Sequence, residues 1–176
     1  MSFVIGISQG IQPIIGFNYG AAKYTRVRKT YLLALATATA LSFVAFGCFQ
    51  LFPRQIISVF GKGSELYFQF SERYFRIYMF LTLINGIQPV TSNFFNSIGK
   101  SSLGVFMSLT RQILFLLPLI IVFPIFMGID GVMYAGPIAD AATGIVCGIF
   151  TIRELKELKT LSYTSENAAA ASGSAN

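Results

Sequence analysis

The chain contains no histidine. That excludes histidine-based acid–base catalysis and every zinc or haem site built on imidazole. Cysteine is almost as scarce. Cys48 and Cys147 both lie deep in apolar stretches, and two such residues build neither a disulfide framework nor a four-cysteine metal site. Charge is the third shortage. Only 11% of the residues are charged, against roughly 25% in a soluble domain. The 13 basic and 7 acidic side chains cannot coat a soluble protein of 19.3 kDa. A basic segment ahead of the first apolar stretch is also lacking, so a cleavable signal peptide is not expected.

What is present is hydrophobic. Apolar residues make up 54% of the chain, and charges are absent from residues 1–22, 30–53, 77–99 and 112–129. Residues 132–152 carry Asp140 alone. About 20 apolar residues cross a bilayer core of about 30 Å. Backbone polar groups in hydrocarbon must pair internally, so helices are the natural spanning element. The alternating short segments of a β-barrel are missing. The fold expected is an all-α integral membrane protein with five transmembrane helices, at about residues 3–19, 31–52, 74–98, 103–127 and 131–152. The first is poor, because Ser8, Gln9, Gln12, Pro13 and Asn18 interrupt it.

Basic residues beside spans report orientation, so the net charge of +6 does not point to nucleic acid. Most of them fall in connections one and three and in the tail: Lys23, Arg26, Arg28, Lys29, Lys100, Arg111, Arg153, Lys156 and Lys159. This places the C-terminus in the cytoplasm and the N-terminus outside. An outside N-terminus without a charge cue suggests further helices upstream. Residues 54–61 read either as an interfacial helix, with Ile56, Ile57 and Phe60 toward lipid and Arg54 and Ser58 toward water, or as a plain loop. Residues 160–176 are rich in Ser, Ala and Asn and are expected to be a disordered tail.

The third span carries a polar stripe. Tyr78, Thr82, Asn85, Pro89, Asn93 and Asn96 recur every three or four residues and share one helix face, with Gln88 and Ser92 beside it. Such a face either lines a wet cavity or bonds to neighbouring helices. The fifth span has a matching stripe of Gly136, Asp140, Thr143, Gly144, Cys147 and Thr151. Asp140 is a candidate for binding a coupling cation or carrying a proton; alternatively it pairs with Arg111. Gly10-Ile11-Gln12-Pro13 recurs as Gly86-Ile87-Gln88-Pro89, and both copies lie in inward-running spans that end in a basic turn. This suggests a duplicated helical unit, as transporters often contain. Pro13, Pro89, Pro118 and Pro124 can bend their helices. The pairs Gly6/Gly10, Gly16/Gly20 and Gly144/Gly148 have the spacing of close helix contacts.

Several stretches, taken in order, resemble the multidrug and toxic compound extrusion (MATE) transporters, with the flavour of Firmicutes multidrug exporters. They are Gly6-Ile7-Ser8-Gln9-Gly10-Ile11-Gln12-Pro13-Ile14-Ile15-Gly16-Phe17-Asn18-Tyr19-Gly20-Ala21, then Asn96-Ser97-Ile98-Gly99-Lys100, Arg111-Gln112-Ile113 with Pro118, residues 126–131, and Pro137-Ile138-Ala139-Asp140 with Arg153-Glu154. The resemblance implies a fold of twelve helices in two lobes, with residues 1–159 supplying helices eight to twelve, most of the C-terminal lobe. It implies a transporter rather than an enzyme, exporting cationic or amphiphilic drugs in exchange for sodium ions or protons, in the plasma membrane, without another cofactor. The missing lobe, or a partner chain, would complete it. The family's coupling acids do not carry over: helix ten holds amides here, and the positions on helices one and seven lie outside the chain. Cavity-lining positions do carry over, as Gln9, Gln12, Tyr78, Thr82, Asn85, Gln88, Asn93 and Asn96.

Competing readings are a lipid-linked oligosaccharide flippase of the same superfamily, an intramembrane enzyme, and a non-transporting truncated scaffold. A flippase cavity would carry more Arg and Lys than Arg111. An enzyme would need a nucleophile–base pair or a metal site, and no metal site is expected.

Overall fold

The computed structural model describes residues 2–60, 68, 69, 71, 72, 76 and 86–173. Among these, every regular element is helical. Helix α1 is Ser2–Gly20, α2 is Tyr24–Leu51, and the short α3 is Pro53–Phe60. After the second copy of the Gly-Ile-Gln-Pro repeat begins come α4 (Ile87–Ser97) and α5 (Ser101–Leu109). A π-helical stretch, Thr110–Leu116, joins α5 to α6 (Leu117–Met127), and α7 is Ile129–Gly173.

Among the described residues, three helical stretches are long and apolar enough to cross a membrane: Tyr24–Leu51, Ser101–Met127 and Asp130–Thr164. Helix α1 has the length, at 19 residues, but its amides dilute the apolar surface. Of the third expected span, only Arg76 and the half from Gly86 onward are described. Tyr78, Thr82 and Asn85 lie outside the described residues.

Three boundaries differ from the sequence reading. Helix α2 starts at Tyr24, because the lysines and arginines of the preceding turn are themselves good helix formers. Helix α3 does form, but Ile57 is buried rather than turned to lipid. Helix α7 continues to Gly173, through the segment expected to be disordered. Its run Ala168-Ala169-Ala170-Ala171 is built from the residue type with the strongest intrinsic helix propensity.

The α1–α2 and α4–α5 turns use the same device. In the first, the Lys23 amide donates to the Asn18 carbonyl at 2.9 Å and the Ala22 amide to the Tyr19 carbonyl at 3.0 Å. In the second, the Lys100 amide donates to Phe95 at 3.0 Å and the Gly99 amide to Asn96 at 3.3 Å. Each is a Schellman cap whose central residue has positive φ, 55° at Ala22 and 81° at Gly99. The two helices that carry the sequence repeat therefore end in the same kind of cap, reached one residue later after the second Gln-Pro step than after the first.

Helix α1 packs against α2 and α4, α4 against α5, and α6 with the π stretch against α7. The largest fully buried side chains include Tyr31, Phe94, Phe95, Ile15 and Met107. In lipid the drive for this packing is van der Waals contact and interhelical hydrogen bonding, since hydrocarbon solvates apolar side chains as well as a core does. Of the spaced-pair glycines, Gly16 alone is shown close to another helix, with the Ser97 carbonyl 3.4 Å from where its Cβ would stand. Gly6, Gly10, Gly20 and Gly148 have open space where a side chain would stand. At Gly104 a Cβ would lie 2.9 Å from the Ser92 carbonyl and collide with the Asn96 amide, so glycine there sets the α4–α5 distance.

Candidate functional site

The polar face of α4 is divided between two neighbours. Toward α1, Gln12 Nε2 donates to Asn93 Oδ1 at 2.6 Å, and Asn93 Nδ2 donates to Ser8 Oγ at 2.9 Å. Ser8 Oγ passes its own proton to the Ile5 carbonyl at 2.8 Å. Toward α5, Ser92 Oγ donates to the Gly104 carbonyl at 2.7 Å and lies 2.8 Å from Ser108 Oγ. Gln88 Nε2 reaches the Met107 carbonyl at 3.4 Å. Helical spacing puts these groups on adjacent faces, and burial between two partner helices makes each bond compete with lipid rather than with water.

This outcome divides the two readings of the stripe. Gln12, Gln88 and Asn93 are half-buried and bonded across helices, whereas Gln9 and Asn96 are exposed. The α1–α4 seam still has capacity: the Gln12 side-chain oxygen has no partner among the described residues. Pro13 lies within α1 and is exposed. Pro89 sits in the first turn of α4, where a missing N–H leaves no helical bond unmade. Pro118 is the second residue of α6, directly after the π stretch. There the Leu117 amide reaches back five residues to the Gln112 carbonyl. The wider turn accommodates a proline that would otherwise crowd the carbonyl four residues before it.

Asp140 is buried and bonded. Arg111, at the start of the π stretch, donates from Nε to Asp140 Oδ1 at 2.5 Å. The Asp140 side chain is 8% exposed and that of Arg111 32%. The stripe on α7 is indeed its inner face. Gly136, Asp140, Thr143, Cys147 and Thr151 are buried, while Ile138, Ile145, Ile149 and Ile152 are exposed. Among the described residues, no group of three acidic, cysteine or histidine side chains could hold a metal ion.

Two clusters escaped the sequence reading. The Tyr31 hydroxyl lies 3.0 Å from Thr91 Oγ1 and 3.2 Å from Thr151 Oγ1. One phenol thus ties α2, α4 and α7 together, with its ring 4.4 Å from that of Phe94. A tyrosine inside an apolar span was the available signal, since a buried phenol seeks a partner. The second cluster joins the α4–α5 turn to α7. Lys100 Nζ donates to both Glu154 oxygens at 2.7 Å and to Glu157 at 3.2 Å. Burial opposes the Lys100 ammonium, but the hydrogen bonds to Glu154 and Glu157 outweigh it and raise its pKa above the ordinary lysine value. An acidic pair three residues apart on a helix, near a basic turn, was the signal for it.

Comparison with the curated proteins gives no match. Solved structures do match. The chain is 37% identical to the MATE multidrug transporter DinF-BH, solved in complex with R6G, with a TM-score of 0.79 over 85% of this chain and 33% of that one. An outward-facing multidrug resistance MATE family transporter of the MOP superfamily gives 18% identity and a TM-score of 0.80, over 89% of this chain and 36% of that one. An inward-facing one gives 17% and 0.80, over 89% and 37%. The chain thus spans about a third of the length of the solved transporters it matches. The MatE family model matches residues 1–129. The chain therefore belongs to the MatE family, a family of multi-pass membrane transporters rather than enzymes.

Proposed function

We propose that this chain forms part of a secondary active multidrug exporter that moves cationic or amphiphilic compounds out of the cell in antiport with sodium ions or protons. The observation that carries the reading is the amide seam between α1 and α4. Gln12 and Asn93 there are hydrogen-bonded across the two helices, and Gln9 and Asn96 are exposed nearby on the same two helices. Amides can hold a cation's polar groups without the desolvation cost of a carboxylate, while aromatic faces take its charge. Tyr78, Thr82, Asn85 and Gln88 continue the set of cavity positions.

In this reading residues 1–159 are the larger part of the C-terminal lobe. A second lobe, or a partner chain, closes the cavity, and the host membrane is the plasma membrane. The end bearing Lys23, Lys100 and the α7 extension lies in the cytoplasm and the N-terminus outside. Rocking of whole lobes supplies alternating access. The equal TM-scores of 0.80 to an outward-facing and an inward-facing transporter support that reading. Asp140 enters as the partner of Arg111, so a coupling ion would have to exchange with that guanidinium. A flippase is not favoured, because Arg111 is already taken by Asp140.

The test is efflux of a fluorescent organic cation from cells carrying the complete transporter. Gln12→Ala and Asn93→Ala should each slow export severalfold at unchanged membrane abundance, with Gln9→Ala weaker. Export that is unaffected by all three would remove the seam from the substrate path.

A further inference from the structure

A cavity of about 500 Å³ opens between the start of α2 and the far part of α7. It belongs to neither the amide seam nor the Arg111–Asp140 pair. Arg28 and Lys159 line it, together with Tyr24, Thr25 and Ser162, over a floor that includes Leu158. Leu158 is 1% exposed. Among the described residues, no acidic side chain lines the cavity. Of the acids whose side chains are described on this part of α7, Glu154 and Glu157 are both engaged by Lys100. Arg28 and Lys159 therefore have no acidic partner among the described residues, and hydroxyl groups surround them. Ser162 Oγ already donates to the Lys159 carbonyl at 2.8 Å, so the donors toward the cavity are the Arg28 guanidinium fork, the Lys159 ammonium and the hydroxyls of Tyr24 and Thr25, a set that fits the oxygens of a phosphate.

The depth of the cavity and the surface beside it say which phosphate. Tyr24 begins one helix long and apolar enough to cross a membrane, and residues 158–163 follow the charged turns that succeed the apolar part of another, so the cavity lies at headgroup depth, beyond the apolar part of both helices. One turn from Arg28 on the same face of α2 is Leu32, 41% exposed. Seven and fourteen residues back from Lys159 on α7 are Ile152 and Ile145, 57% and 65% exposed. Seven residues are close to two helical turns, so this apolar track runs into the membrane directly beneath the cations. We propose that the cavity between Arg28 and Lys159 binds the phosphate of an anionic phospholipid headgroup, with an acyl chain lying along Leu32, Ile152 and Ile145. A free phosphate ion has the same head chemistry but no use for the apolar track. Basic pockets at helix ends are a recurrent solution for such headgroups.

The complete transporter, purified in mild detergent, would be offered phosphatidylglycerol, phosphatidylcholine and inorganic phosphate, and retained lipid counted by native mass spectrometry. Phosphatidylglycerol should be retained in preference to phosphatidylcholine. In R28Q/K159Q that preference should fall about 30-fold, two basic residues each contributing to anionic-lipid attraction. R26Q/K29Q, which removes equal charge from the same turn outside the cavity, should keep most of it. R28K/K159R, which preserves both charges, should also keep it, which separates loss of charge from a folding defect. The proposal fails if R28Q/K159Q retains the preference, or if both charge-removing double substitutions erode it equally, which would mean a diffuse surface field. It also fails if inorganic phosphate at millimolar concentration displaces the lipid fully, which would make the site one for the free ion. None of these readouts requires transport, so the site stands or falls apart from the exporter reading.

Discussion

Ala22 and Gly99 occupy equivalent positions in two Schellman caps, yet one has a side chain and the other does not. An L-residue at positive φ costs about 1 kcal/mol relative to glycine. Ala22→Gly should therefore raise the thermal stability of the transporter slightly, by up to about 1 kcal/mol, and Gly99→Ala should lower it by a similar amount. Scanning fluorimetry in detergent would show both, and equal effects of the same sign would mean that the caps are not equivalent. At this scale the sequence was informative about type and poor about partnership. That Gln12 and Asn93 are polar groups inside a span is evident by inspection. That they bond to each other over 81 positions of chain is not, because helical spacing fixes a residue's face but not the neighbour that face meets.

The π stretch is the element that most changes the reading of a residue. It puts Arg111 against Asp140, at the junction of α5 and α6 with α7. Breaking a buried pair by removing one partner costs about 3–5 kcal/mol, and removing both is often near neutral. Here the Arg111 side chain is 32% exposed, so Asp140→Asn should cost less, about 1–3 kcal/mol. The double substitution R111Q/D140N should recover stability. If Asp140 couples ion entry to export, the double variant stays inactive in sodium- or pH-driven efflux. If it recovers export together with stability, the pair is structural and the coupling role is lost. Helices α1, α2, α4 and α5–α6 were all foreseeable from charge-free windows. The π turn was not, since its cause is local crowding at Pro118 together with the demand of a distant carboxylate. The long α7 was missed for a different reason: composition suggested a loose tail, and intrinsic alanine propensity favours helix.

At the scale of the molecule, rocking lobes require that the chain move as one body. Helices α1 and α4 approach closely at Gly16, where an added Cβ would lie 3.4 Å from the Ser97 carbonyl. A short cross-link between cysteines introduced as Gly16→Cys and Ser97→Cys in the complete transporter should leave efflux within about twofold of the reduced form, since the two helices do not separate. A loss on cross-linking that reverses on reduction would mean that the seam itself opens during transport. The exposed isoleucines of α7 and leucines of α2 face outward as expected for surfaces that meet lipid, which is why composition sufficed to place the chain in a membrane.

The sequence by itself determined the solvent, the element type and the family. Hydropathy, charge-free length and motif order are one-dimensional properties, and the bilayer imposes them segment by segment. Tertiary structure alone decided which polar groups meet. Tyr31 found Thr91 and Thr151, Lys100 found Glu154, and Arg111 found Asp140. Such pairings depend on the rotation and depth of one helix against another, set by side-chain packing and by close approaches such as that at Gly104. A single chain's periodicity carries no term for them.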